Sequence, residues 1–198
     1  MKPQRSCLFA WGVALAALGA LVATAPARAE PVIYDLDPDH TFVVFEFVHF
    51  GTSTSRARLG PVRGAVTVDR AKGEGEIGVR IPTASVDTGL AFFNSRLRQA
   101  DLLASEEFPE AFFVGKQLRF EGPLLAEVRG EFTFRGVSQP LSLRATQFAC
   151  RQDAQGEICG GDFEAELLRS SFGADFGVPL VSDRVKLLIQ VEGRRRSP

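Results

Sequence analysis

Apolar residues recur at every second position through most of this chain. From Phe42 to His49, Val43, Phe45, Phe47 and His49 share one face, and Phe42, Val44 and Glu46 share the other. That is the period of a β-strand, and turn formers bound it at Asp37-Pro38-Asp39 and at Gly51. The same rhythm returns in Val62, Val66 and Val68, in Ile77, Val79 and Ile81, and in Leu124, Ala126, Val128, Phe132 and Phe134. It continues through Leu141, Leu143 and Ala145, through Phe163, Ala165 and Leu167, and through Val185, Leu187, Ile189 and Val191. About eight short strands separated by Gly, Pro and Asp turns predict an all-β fold, an antiparallel barrel or a sandwich. One stretch breaks the rhythm: between Thr88 and Ala104 the apolar positions Phe93, Leu97, Ala100 and Ala104 recur at three and four, which predicts an amphipathic helix ended by Pro109. There is no composition shift or linker, so one domain from about residue 31 to 193 is expected.

The N-terminus follows a different rule. Lys2 and Arg5 precede an apolar run from Leu8 to Ala23, and Ala27-Arg28-Ala29 fits a cleavage site, so residues 1–29 read as a secretory signal peptide and 30–198 as the exported chain. The run is short for a membrane anchor, which needs about 20 apolar residues. Removal of Lys2, Arg5 and Arg28 leaves 20 basic against 24 acidic residues, a net charge of −4. No nucleic-acid partner is suggested, and Arg194-Arg195-Arg196 reads as a solvated tail. Export leaves two cysteines, Cys150 and Cys159, around a polar hairpin loop, and a structural disulfide is expected.

Candidate chemistry is sparse. His40 and His49 lie nine residues apart, on opposite faces and about 30 Å from each other along a strand, so they cannot share a metal through it. Neither a metal site nor a nucleotide-binding glycine loop nor a nucleophile elbow is indicated. An enzyme would have to be assembled from distant residues, for example His49 with Arg169 or Asp101. Sixteen of the 17 phenylalanines lie beyond residue 29. That suits either a filled core or a hydrocarbon cavity. The face without Glu46 is the better candidate for an interior, although Phe42 and Val44 are apolar too. On that face His49 could meet a ligand headgroup, or simply bond a backbone carbonyl or water.

In order along the chain stand Asp37-x-x-His40-Thr41, Val43-x-Phe45-x-Phe47-x-His49 and Ala84-Ser85-Val86-Asp87-Thr88-Gly89. Leu97-Arg98-x-Ala100-Asp101 with Phe108-Pro109 follows, and then Gly130-Glu131-Phe132-Thr133-Phe134-Arg135-Gly136-Val137. The series closes with Arg169-Ser170-Ser171-Phe172-Gly173 and Val181-Ser182-Asp183-x-Val185-x-Leu187. Together these resemble the YceI-like family of exported polyisoprenoid-binding proteins. The resemblance implies an eight-stranded antiparallel, lipocalin-like barrel with one short amphipathic helix near one end. It also implies a non-catalytic periplasmic carrier, monomeric or homodimeric, whose lumen holds an isoprenoid, a quinone-type or another long-chain lipid. The apolar lumen residues implied are Val43, Phe45, Phe47, Phe113, Phe132 and Phe172; the polar ones are His49, Arg98, Asp101 and Arg169. Where many members carry Arg-Asp-x-His, this chain has Phe93-Asn94-Ser95-Arg96. A barrel filled by its own side chains, serving as a stress or interaction module, is the alternative to a carrier.

Overall fold

Val43, Phe45 and Phe47 do turn inward together on one long strand, β2 (Phe42–His49), while Glu46 on the other face pairs with Arg56 at 2.5 Å. The computed structural model describes residues 30–69 and 72–197; the leader expected at 1–29 lies outside them. Around β2 the order is β1 (Val32–Leu36), β3 (Ser53–Leu59), β4 (Arg63–Asp69), β5 (Glu74–Pro82), β6 (Glu110–Glu121), β7 (Leu124–Phe134), β8 (Val137–Asp153), β9 (Gly156–Leu168) and β10 (Arg184–Arg195). One helix, α1 (Ala91–Leu97), and two 3-10 turns at Thr83–Ser85 and Arg169–Phe172 complete the described elements.

These ten segments make an eight-position antiparallel barrel, because two walls are broken. β10 pairs with β2 through Lys186–Gln190 and then with β1 through Gly193–Arg195, so β1 and β2 are successive halves of one wall. β4 pairs with β1 and β3 with β2, so β3 and β4 are halves of the next. The breaks are stitched together: Thr41 is buried with its hydroxyl on the Glu192 carbonyl at 3.2 Å, and the Val62 amide donates to the Thr41 carbonyl at 3.0 Å. His40 secures this corner through Asp37 at 2.8 Å. Closure satisfies the edges that an open sheet would expose.

Several details differ from the sequence expectation. The helix spans Ala91–Leu97 rather than the longer stretch, because the Ala104 amide turns back to the Gln99 carbonyl and Ala104 itself has a left-handed φ of 49°. In β7 a bulge between the Arg119 and Phe120 pairings shifts the alternation, so Leu125 lines the interior while Leu124 is exposed. The segment between the cysteines is not a loop: β8 and β9 pair through it to the turn at Ala154 and Gln155, and the disulfide joins residues directly opposite, Cα atoms 4.0 Å apart. The arginine run is tied down as well, with Arg194 bidentate to Asp153 at 2.8 and 2.9 Å and Arg196 paired with Asp35.

Strand polarity gives the barrel unlike ends. Turns close one end near residues 72–73, 122–123 and 154–155. At the other end lie the tight turns at 50–52 and 135–136 and the two long connections, 83–109 and 169–183.

Candidate ligand-binding site

The walls do not meet in the middle. They enclose a cavity of about 880 Å³ to which every wall contributes apolar side chains, including Val43, Phe45 and Phe47 from β2, Phe113 from β6, Val128 and Phe132 from β7, Phe163 from β9 and Leu187 from β10. The 3.4 Å rise and alternating side chains of each strand deliver one inward residue in two, which is why the sequence period is visible as a lining. Some polar groups of the lining look to protein partners: the Tyr34 hydroxyl donates to Glu157 at 2.7 Å and, at the end with the long connections, the Thr83 hydroxyl to the Phe108 carbonyl at 2.7 Å.

Polar lining concentrates at the end with the long connections, where His49, Ser55, Thr88, Arg96 and Arg169 reach the cavity. Arg169 is buried and, among the described residues, has no carboxylate within hydrogen-bonding distance. It donates instead to four backbone carbonyls, those of Ser182 (2.9 Å), Ala174 (2.5 Å), Phe176 (3.0 Å) and Val181 (2.9 Å), so it holds the 169–183 connection in shape. Burial pushes its pKa below the ordinary arginine value, opposed by the charges of Asp183 and Asp175. Arg135 does similar work from the β7–β8 turn, bonding the carbonyls of Phe172, Ala100 and Leu102.

The residues expected from sequence therefore divide. Val43, Phe45, Phe47, Phe113, Phe132, His49 and Arg169 all line one cavity. Phe172 is buried but stands behind the lining, edge-on to Phe132 at 5.6 Å and packed on Phe134 at 5.8 Å. Arg98 and Asp101 lie outside it: Arg98 bonds the Ala84 carbonyl and Ser95, and Asp101 takes a bidentate pair from Arg96 at 2.7 Å, which holds its carboxyl below the usual range. Both brace the helix. An enzyme built on His49 would thus find Asp101 occupied by Arg96 and Arg169 occupied by carbonyls. At the surface Asp37, His40 and Glu192 bring three donor atoms within 4.8 Å of one another, away from the cavity.

Sequence reasoning missed the mouth. Phe50, Leu90, Phe93, Phe176 and Leu180 line the open end, and a phenylalanine directly before Gly51 at a hairpin turn was the available signal. Among the described residues no helix is long and apolar enough to cross a membrane.

Comparison with known proteins agrees with this architecture. A YceI-like domain matches residues 34–193. The chain is 31% identical over 184 residues to Protein YceI of Salmonella arizonae, covering 92% of this chain and 95% of that protein. It is 31% identical over 188 residues to a UPF0312 protein of Pseudomonas fluorescens, covering 91% and 94%. Among solved structures, Burkholderia cenocepacia BcnA superposes with a TM-score of 0.66 at 20% identity, over 80% of this chain and 99% of that one. A polyisoprenoid-binding domain from Saccharophagus degradans superposes with a TM-score of 0.58 at 16% identity, over 82% and 98%. These two likenesses concern the fold; the identity and coverage of the relatives carry the assignment, and the chain belongs to the YceI-like family.

Proposed function

We propose that this chain is a non-catalytic carrier that holds the tail of an isoprenoid, or a lipid of similar length, in the barrel lumen. The observation that carries the reading is the cavity itself, about 880 Å³ walled by hydrocarbon, with its polar lining gathered at one end. A water molecule occupies about 30 Å³ in the liquid and a methylene is of similar size, so the lumen has room for on the order of 30 chain carbons. The naming of the Saccharophagus domain as polyisoprenoid-binding supports the same ligand class.

In this reading Val43, Phe45, Phe47, Phe113 and Phe132 contact the tail. His49 and Arg169, which belong to the polar end of the lining, meet a headgroup. Taking a lipid from a bilayer exchanges one apolar environment for another, so selectivity rests on tail length, cavity shape and those polar groups. The leader pattern at 1–29 and the cross-strand disulfide support export to the periplasm. Native mass spectrometry of protein purified from its own host is expected to show a lipid adduct. A lipid-free barrel that also refuses polyprenyl lipids offered in detergent would sink the proposal.

A further inference from the structure

The inward faces of three adjacent strands change character together at the end of the barrel closed by the hairpin turns. On β10, Val191 and Gly193 line the lumen and Arg195 follows on the same face; on β9, Phe163 and Cys159 line it and Glu157 follows. On β1, Tyr34 lines the lumen directly opposite Arg195 in the β1–β10 pairing. The Tyr34 hydroxyl donates to Glu157 at 2.7 Å, and the Arg195 guanidinium approaches the same carboxylate at 3.9 Å. Because β10 runs between β1 and β9, the tyrosine reaches across a whole strand to its acceptor. Gly193 leaves the room for it: a Cβ there would crowd the Tyr34 Cβ at 3.2 Å.

The ring divides two environments. Tyr34 is 5% exposed, whereas the Arg195 side chain is 51% exposed and neither Arg195 nor Glu157 reaches the cavity. Phe120 and Leu125, paired beside the turn at 122–123, and Phe148 on β8 line the same end. The choice of residue is informative, since the sequence holds 17 phenylalanines and one tyrosine. A phenylalanine would supply the same apolar ring; the hydroxyl is what fixes it in place. A hydrocarbon chain pushed past the ring would have to break that hydrogen bond and lie against Glu157 and Arg195, stripping water from charged groups.

We propose that Tyr34, positioned by Glu157, is the floor of the lumen and sets the longest tail that the barrel accepts. This rests on the carrier reading and deepens it: the headgroup stays at the end with the long connections, and the last isoprene unit of the tail meets the Tyr34 ring. Tyr34→Ala frees space for about four chain carbons at about 30 Å³ each, close to one isoprene unit.

The test offers the protein, expressed with its own leader, an equimolar ladder of polyprenols in detergent, each one isoprene unit longer than the last, and reads the bound lipid by native mass spectrometry. The parent is expected to show a sharp upper length. In Tyr34→Ala that limit moves up by one unit while uptake of the shorter members stays as in the parent. Tyr34→Leu keeps an apolar side chain on β1, protects the fold, and is expected to move the limit the same way. Glu157→Ala frees the ring and blurs the limit, and Glu157→Gln, which still accepts the hydroxyl, restores it. A parent without an upper length, a limit that ignores both Tyr34 substitutions, or a uniform loss of every length in both overturns the floor and leaves the carrier standing. A limit as sharp in Glu157→Ala as in the parent overturns the positioning role of Glu157. A parent that takes up no polyprenol of any length overturns the carrier reading, and the floor falls with it.

Discussion

At the scale of single residues, several charged side chains of this protein hold its turns and connections in shape. Asp153 shows the pattern at the β8–β9 turn, where it accepts from the Gln155 amide at 2.8 Å and takes the two bonds from Arg194. Arg194, then the Gln155 amide, lower its pKa from 3.8 to about 2. A carboxyl depressed on folding contributes stability above its unfolded pKa and loses it as the pH falls through the folded one. Asp153→Asn is therefore expected to lower unfolding stability at neutral pH, with the gap from the parent closing between about 4 and about 2 and gone below. Denaturant melts across that window check it, and a gap that persists at the acid end would contradict the assignment. Arg169 is the larger case. Arg169→Met strands four carbonyls in a buried corner and is expected to cost about 3 kcal/mol, whereas Arg169→Lys recovers part of it. Chemical denaturation of both variants reads the difference. Neither role was legible in the sequence, because the carbonyls that Arg169 binds belong to residues five to thirteen positions away and carry no side-chain signature.

At the scale of elements, alternation was legible wherever one face is buried and the other charged. β2 and β10 read correctly from Glu46, Lys186 and Gln190 set against inward Val, Phe, Leu and Ile. β3 escaped because its sequence, Ser53 to Leu59, turns only Ser55, Ala57 and Leu59 inward, too small and polar a set to stand out. The bulge in β7 escaped because a register shift changes which residues face inward without changing composition. What the barrel needs at its bends is backbone proximity, and Gly115 opposite Gly130 provides it. A Cβ on Gly130 would stand 2.3 Å from the Val114 carbonyl oxygen and 2.8 Å from the Phe113 ring. Gly130→Ala is thus expected to cost about 1 to 3 kcal/mol through overpacking and to displace the Phe113 ring toward the lumen. Thermal denaturation measures the first, and a reduced mass of bound lipid the second. An alanine that fits without loss on either measure would show that the two strands are less tightly apposed than these distances require.

For the whole molecule, the governing fact is that the interior is not filled by its own side chains. Hydrocarbon in such a lumen is favoured over water, which gains few partners from apolar walls. On the proposed carrier reading a chain-like apolar guest fills this space and couples stability to loading. Anything that binds only the folded barrel stabilises it in proportion to the logarithm of its free concentration over its dissociation constant, by about 2.7 kcal/mol at a hundredfold excess. Protein stripped of lipid by organic extraction and refolded is accordingly expected to melt several degrees lower than protein as purified, and to recover when a polyprenyl lipid is added back. Val128→Trp probes the same coupling from inside. Val128 is buried at mid-wall and lines the lumen, so an indole there occupies the volume of several methylenes. The variant is expected to take up shorter chains than the parent, seen as a lower adduct mass, and to show a smaller rise in melting temperature with the longest lipids. A tail length unchanged by Val128→Trp, with the fold intact by circular dichroism, would place the guest somewhere other than the lumen.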